Sequence, residues 1–214
     1  MKNNLATKTL LVDDANANSV VEAVSILKNG GIFISTSDTG YRFFLDSKKE
    51  TYDQFFRITR KKLDEEAIYF VGSIEILRKN ILLFDDKMFD FLISVWPNPI
   101  SIKFNLSKEG KKNLNKESAF FRIPNNNFCL KFLSAYDSPV LTSDAVRKNE
   151  PIHNDFTFLN EEFNSEVEAI FYTKKKIFDK FPTTIDLTTD RPILVNEGKY
   201  KFSTIEKKFI ECYG

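Results

Sequence analysis

Only one histidine and two cysteines occur in the 214 residues of this chain. His153 has no second His or Cys near it in sequence, and its neighbours Asn154 and Asp155 read as a turn, which argues against a metal ligand or a general base. Cys129 and Cys212 form no CxxC pair, so a disulfide scaffold and a cysteine-rich zinc site are both excluded, leaving buried or incidental thiols. No apolar run approaches the roughly 18 residues of a spanning helix. The first twenty residues carry Asp13 and Asp14 and have no apolar stretch of signal-peptide length, so the sequence predicts a cytoplasmic protein with no membrane partner. A surplus of either charge is also missing: 31 Lys and Arg face 30 Asp and Glu, a net charge of +1. Any affinity for RNA must therefore come from local clustering of cations.

What is present is ordinary for a folded chain. Hydrophobic residues make up 42% and charged residues 29%, and 214 residues suffice for one sizeable core, so a single α/β domain over residues 1–214 is expected. The 22 Phe accompany many Ile, Asn and Lys, the usage of an AT-rich genome. They read as core residues before they read as base-stacking platforms.

Capping-box spacing of Ser19 and Glu22 and the stop at Gly30-Gly31 predict a helix over residues 20–28. Ile32-Phe33-Ile34 follows as a buried strand that empties into the polar run Ser35 to Tyr41, and the carboxyl end of a buried strand is where α/β proteins place ligands. A helix is predicted over 50–61 with Tyr52, Phe55, Phe56 and Ile58 facing in, a strand over 67–71, helices near 74–81 and 86–95, and a strand over 100–104 after Trp96-Pro97-Asn98-Pro99. Further strands fall at 118–121, 140–142, 169–172, 184–187 and 193–195. Ser203 and Glu206 predict a second capping box for a closing helix to about Cys212. The Lys-rich stretch from Ser107 to Lys116 reads as a mobile loop and Asn125 to Asn127 as a turn. Strands and helices interleave without a strict alternation, which predicts a mixed sheet covered by helices.

Five strings, in order, resemble one family. Thr36-Ser37-Asp38-Thr39-Gly40-Tyr41-Arg42-Phe43 is similar to Pro-Thr-Asp-Thr-x-Tyr-Gly-Leu, and Trp96-Pro97-Asn98-Pro99-Ile100-Ser101 to Trp-Pro-Gly-Pro-x-Thr. Arg122-Ile123-Pro124 matches Arg-x-Pro, Thr142-Ser143 begins Thr-Ser-Ala-Asn-x-Ser-Gly, and Pro182-Thr183-Thr184-Ile185-Asp186 is similar to Pro-Ser-Thr-Val-Val-Asp. Together they resemble the YrdC family across roughly residues 19–198. The resemblance implies a twisted mixed β-sheet flanked by helices on both faces, with a concave ligand cleft.

It also implies an activity: L-threonine, bicarbonate and ATP give threonylcarbamoyl-adenylate and pyrophosphate, with Mg2+. A threonylcarbamoyl transferase then modifies an adenosine of certain tRNAs. Such a reaction needs fixed cations and N–H donors for the polyphosphate and a cation for the threonine carboxylate, but no covalent nucleophile, and the sequence identifies no metal ligand from the protein. Carried over by position, the threonine site would comprise Ser37, Thr39, Tyr41, Arg122 and Ser143, and the ATP site Arg60, Lys61, Thr142, Arg147, Thr183 and Thr184.

The family pattern is interrupted where ATP is handled. Thr59 and Lys61 stand at the positions of Lys and Arg in the family's Lys-x-Arg element and Glu65 at the Lys that follows it, Ala145 and Arg147-Lys148 replace Asn and Ser-Gly, and Asn196 stands where Arg-x-Gly begins. A one-residue shift would instead bring Arg60 with Lys61 or Lys62 into the cleft. Arg147 and Lys148 would supply replacement cations from the opposite wall. The alternatives are bland ones: a hydroxyl turn that satisfies itself at 37–41, an ion-paired Arg122, core packing for Trp96, and solvated faces for the runs 60–62, 111–112 and 174–176. The resemblance therefore leaves two functions open, a divergent synthase and a YrdC-fold protein that binds nucleotide or RNA without catalysis.

Overall fold

The computed structural model describes residues 6–47, 49–62, 67–177 and 181–214. Ten strands form one mixed sheet in the order β1-β8-β2-β3-β7-β4-β6-β5-β9-β10. In chain order these are β1 (Lys8–Leu11), β2 (Ile32–Thr36), β3 (Tyr41–Leu45), β4 (Ile68–Phe70), β5 (Ile100–Asn105), β6 (Ser118–Arg122), β7 (Val140–Asp144), β8 (Ala169–Tyr172), β9 (Thr183–Asp186) and β10 (Ile193–Asn196). The helices are α1 (Ala17–Lys28), α2 (Lys49–Thr59), α3 (Ile74–Asn80), α4 (Asp86–Val95), α5 (Lys108–Leu114), α6 (Asn127–Tyr136), α7 (Phe156–Phe163) and α8 (Phe202–Tyr213).

Successive side chains of a strand point to opposite faces, and here both faces are buried by different helices. Ile32, Ile34, Phe43, Leu45 and Tyr69 belong to one core cluster with Phe55 of α2, Ile76 of α3, Phe91 of α4, Leu159 of α7 and Ile205 of α8. The intervening Phe33, Phe44 and Phe70 belong to the other, with Ala23 and Leu27 of α1 and Phe128, Phe132 and Leu133 of α6. Phe33 is the hub of that second layer, with ring centroids 5.0–5.4 Å from Phe44, Phe132 and Phe171. Most of the described phenylalanines are thus core residues, as composition indicated. Among the described residues no helix is long and apolar enough to cross a membrane.

Several local expectations give way to the structure. Asn16, not Ser19, caps α1, its side chain accepting from the Ser19 amide at 2.9 Å, and Ser19 itself is buried. The start of α8 has no hydroxyl cap; Glu197 accepts the Phe202 amide at 2.8 Å instead. Phe56 lies on the exposed side of α2. The Lys-rich segment is ordered as α5, because Ser107 caps it and Gly110 lets it press on α3, where a Cβ would fall 2.1 Å from the Asn80 carbonyl oxygen. Asn126 is not mid-turn but the cap of α6, accepting from the Cys129 amide at 2.9 Å. Beyond α5, four elements that periodicity did not indicate, β1, β3, α6 and α7, complete the fold.

Candidate functional site

One face of the sheet is covered only in part. The core cluster under α1 and α6 contains no residue of β5, β6 or β9, so the side chains those strands present on that side border open space. Strand registers align Thr142, Ile68, Phe120 and Lys103 across β7, β4, β6 and β5, and residues directly opposite share a face. Thr142, Ile68 and Phe120 accordingly line a cleft of about 920 Å³, at the upper end of small-molecule sites. Thr39 to Arg42 form one wall, Lys61, Lys62 and Lys148 a second, and Phe181, Pro182, Thr184, Val195 and Asn196 a third.

The hydroxyl loop between β2 and β3 is held by its own bonds and by its neighbours. Ser37 donates to the Gly40 carbonyl at 2.8 Å and accepts from the Thr39 amide at 3.2 Å. Gly40 has φ +132°, and a Cβ there would lie 2.7 Å from Asn154 Oδ1, which accepts the Tyr41 amide. Thr39 and Tyr41 border the cleft, whereas Ser37 and Asp38 face a second cavity of about 340 Å³ on the other side of the loop. The Tyr41 hydroxyl accepts from the Thr173 amide at 3.4 Å, and burial pushes its pKa up to about 12, so it serves as a neutral hydrogen-bonding group.

Arg122 lies behind this loop. It is fully buried, ion-paired with Asp38, 3.4 Å from Thr39 Oγ1, and borders neither cavity. Burial lowers its pKa against the opposing pull of Asp38. Arg122 thus fixes the loop through Asp38, which also accepts the Asn125 amide at 3.1 Å.

The cations expected for ATP divide sharply. Lys61 is brought into the cleft; its ammonium donates to the Asp144 carbonyl at 2.9 Å and lies 3.4 Å from Ser143 Oγ. Burial lowers its pKa to about 8, with Asp144 opposing and Arg42 reinforcing the shift. Arg60 is exposed outside the cleft, in a left-handed conformation (φ 60°) that closes α2. Thr59 is buried, donating to the Phe55 carbonyl at 2.8 Å, and cannot serve a ligand as the family's Lys would. Arg147 points away from the cleft: it pairs with Glu162 and Glu166, donates to the Ile58 carbonyl, and lies 5.0 Å over the Phe163 ring. It clamps α2 to α7.

Thr142 and Ser143 are both at the cleft, while Ala145 is buried in the core where an Asn side chain would need partners. Thr184 borders the cleft, but Thr183 is buried, donates to the Tyr200 carbonyl at 2.5 Å and accepts the Gly198 amide at 3.0 Å. Trp96 packs in the core and donates to the Ile100 carbonyl at 2.7 Å. Glu65 lies outside the described residues.

Arg42 was missing from the sequence reading. It stands opposite Asp144 in the β3–β7 register, pairs with its carboxylate, donates Nε to Thr142 Oγ1 at 3.2 Å, and lies 5.6 Å from the Phe70 ring centroid. The signal was available: Arg42 and Asp144 stand where the family's pattern has Gly and Ala, two small residues exchanged for opposite charges. Asp144 is the one acidic side chain among the described residues lining the cleft, against Arg42, Lys61, Lys62 and Lys148. Among the described residues, no group of three His, Cys, Asp or Glu is placed to hold a metal.

Comparison with known proteins agrees with this architecture. The Sua5, YciO and YrdC family model, described as telomere recombination, matches residues 25–198. The Escherichia coli protein YciO, itself described as uncharacterized, is 25% identical over 192 residues, covering 87% of this chain and 92% of YciO. The YciO crystal structure superposes with a TM-score of 0.77 at 20% identity over 91% of this chain and 96% of that one. P. abyssi Sua5 complexed with L-threonine superposes with a TM-score of 0.82 at 18% identity, over 94% of this chain but only 60% of Sua5. A full-length HypF in a phosphate- and nucleotide-bound form gives a TM-score of 0.68 at 11% identity, over 84% of this chain and 29% of HypF. With a mixed ten-stranded sheet, helices on both faces and a family match over most of its length, the chain belongs to the Sua5–YciO–YrdC family.

Proposed function

We propose that the protein is a divergent L-threonylcarbamoyladenylate synthase, joining L-threonine, bicarbonate and ATP into threonylcarbamoyl-AMP with release of pyrophosphate. The observation that carries this reading is the convergence of Thr39 and Tyr41 of the hydroxyl loop with Ser143 and Lys61 on one cleft of nucleotide size. Thr39, Tyr41 and Ser143 would meet the polar groups of threonine, and Lys61 with Lys62 and Lys148 the phosphates. Arg122 would act indirectly, by holding the loop. Mg2+, where required, would arrive on the phosphates, since Asp144 is the one carboxylate the described cleft offers it. The Sua5 neighbour with bound L-threonine and the nucleotide-bound HypF support the ligand classes. The adenylate would pass to a threonylcarbamoyl transferase acting on tRNA in the cytoplasm.

A second reading is favoured by one specific observation. The cleft's guanidinium is already neutralised, Arg42 by Asp144, and the buried Arg122 is likewise held by Asp38, while Arg147 is turned away. A protein that binds a nucleotide or RNA without turnover would have that character. Incubation with ATP, labelled bicarbonate and threonine separates the two: pyrophosphate and adenylate above a Lys61→Ala control support the synthase. Binding without product supports the second reading.

A further inference from the structure

We infer that Asp144 is a specificity-determining residue of the cleft: its carboxylate holds the place beside Arg42 and Lys61 that a ligand phosphate would take, so the site favours anions of low charge. The inference goes beyond the proposed synthase reaction, because it concerns which phosphate-bearing ligands the cleft accepts whatever it does with them.

The geometry is that of an internal competitor. Arg42 and Asp144 are directly opposed across β3 and β7, so their side chains emerge on the same face. The Arg42 side chain is only 7% exposed and is held from three sides, by Thr142 Oγ1, the Phe70 ring and Asp144. The Asp144 side chain is 47% exposed, so its carboxylate stands at the cleft surface while its partner is sunk in the floor. Lys61 reaches the same residue through the Asp144 carbonyl. A phosphate approaching either cation therefore meets this carboxylate at contact range, where like charges repel in proportion to the charge the ligand brings. A monoanion or dianion can be satisfied by Lys61 and Lys148 alone. A triphosphate has to crowd Asp144 or displace it from Arg42. Two small residues in the family's pattern would leave this position open, and the Arg–Asp pair closes it with no change in net charge.

The test uses the whole chain and two inorganic probes, phosphate and tripolyphosphate, titrated calorimetrically with EDTA present so that no cation bridges them to a carboxylate. The wild-type protein is expected to bind tripolyphosphate no more than about tenfold tighter than phosphate. Asp144→Asn, which keeps an oxygen for Arg42, is expected to tighten tripolyphosphate by tenfold or more and phosphate by less than threefold, and Asp144→Ala to do the same. A wild-type ratio above a hundredfold overturns the inference, and so does a ratio unchanged within twofold in both variants, or no binding of either ion to any of the three proteins. Should neither variant fold, the wild-type ratio decides alone, above or below about thirtyfold. Absence of adenylate synthesis would remove the proposed function and leave these ratios as they are.

Discussion

Replacing Asp38 by Ala isolates the buried charge of Arg122, and the size of the effect follows from the environment. The Arg122 side chain is fully buried and that of Asp38 is 7% exposed. Among the described residues the guanidinium has Asp38 as its one carboxylate and Thr39 at 3.4 Å, and its Nε has no hydrogen-bond partner. Removing one member of such a pair leaves an uncompensated buried charge, a loss of about 3–5 kcal/mol. The Asn125 amide also loses its acceptor, within the usual ~1 kcal/mol for a hydrogen bond. A domain of this size has about 5–15 kcal/mol in all, so Asp38→Ala is expected to remove a large share of it and lower Tm by about 6–20 °C, taking ~2–4 °C per kcal/mol. Urea unfolding followed by the fluorescence of Trp96, the single and buried tryptophan, measures it as a fall in midpoint at constant slope. The double variant Asp38→Asn with Arg122→Met removes the charge and keeps an acceptor for Asn125, and it is expected to recover at least ~2 kcal/mol relative to Asp38→Ala. A loss below ~1 kcal/mol for Asp38→Ala, or a double variant no better than the single, would refute the claim that Arg122 is a buried structural cation held by Asp38.

Two further outcomes separate structural from ligand-binding cations. Arg147→Ala is expected to destabilise the protein by ~1.5–3 kcal/mol, from the loss of charge-assisted bonds to Glu162, Glu166 and the Ile58 carbonyl, while nucleotide affinity stays within twofold in a calorimetric titration. Lys61, with its pKa lowered to about 8, is charged below that pH and neutral above it, so phosphate affinity is expected to fall as pH rises through about 8, and Lys61→Gln to flatten the profile. The same shift makes the folded state release a proton that the unfolded chain keeps, so Lys61 contributes a rise in stability between about pH 8 and 10.5.

Much of the fold was legible because it rests on local pattern. The buried strands at 32–34, 100–104, 118–121 and 140–142 occur with one or two further residues at their carboxyl ends, the strand at 169–172 and the helix at 86–95 occur with those bounds, and the helix near 74–81 ends one residue earlier. What escaped detection was decided by partners far away in sequence. Tyr41 to Leu45 is a central strand because it pairs with β2 and β7, yet its start is polar and continues a loop. Lys8–Leu11 is only four residues and becomes a strand by adding in parallel to β8, some 160 residues later. The segment 107–116 is charged and contains a glycine, both loop signals, but its glycine serves a close approach to Asn80 that no local window contains.

The site shows the same division one level deeper. Motif position placed Thr39, Tyr41, Ser143, Thr142, Thr184 and Lys61 at one cleft, because backbone geometry carries a motif's location even where its residues change. It did not place Arg60, Arg147 or Thr183, since position along a chain says nothing of the direction in which a side chain leaves it. Arg60 sits on a left-handed turn, Arg147 has Glu162 near the end of α7 and Glu166 in the turn that follows it, and Thr183 faces a backbone bend. Counting cations from the sequence was therefore the wrong measure of phosphate affinity. The relevant quantity is positive charge not already matched by a carboxylate, and by that measure Arg42 and Arg122 contribute almost nothing while Lys61, Lys62 and Lys148 contribute nearly everything. The two departures that set this balance, Arg42 for Gly and Asp144 for Ala, lie 102 residues apart. Each alone looks like a lost motif residue, and only the β3–β7 register shows that they are one change: a charge pair inserted where the family keeps an open floor.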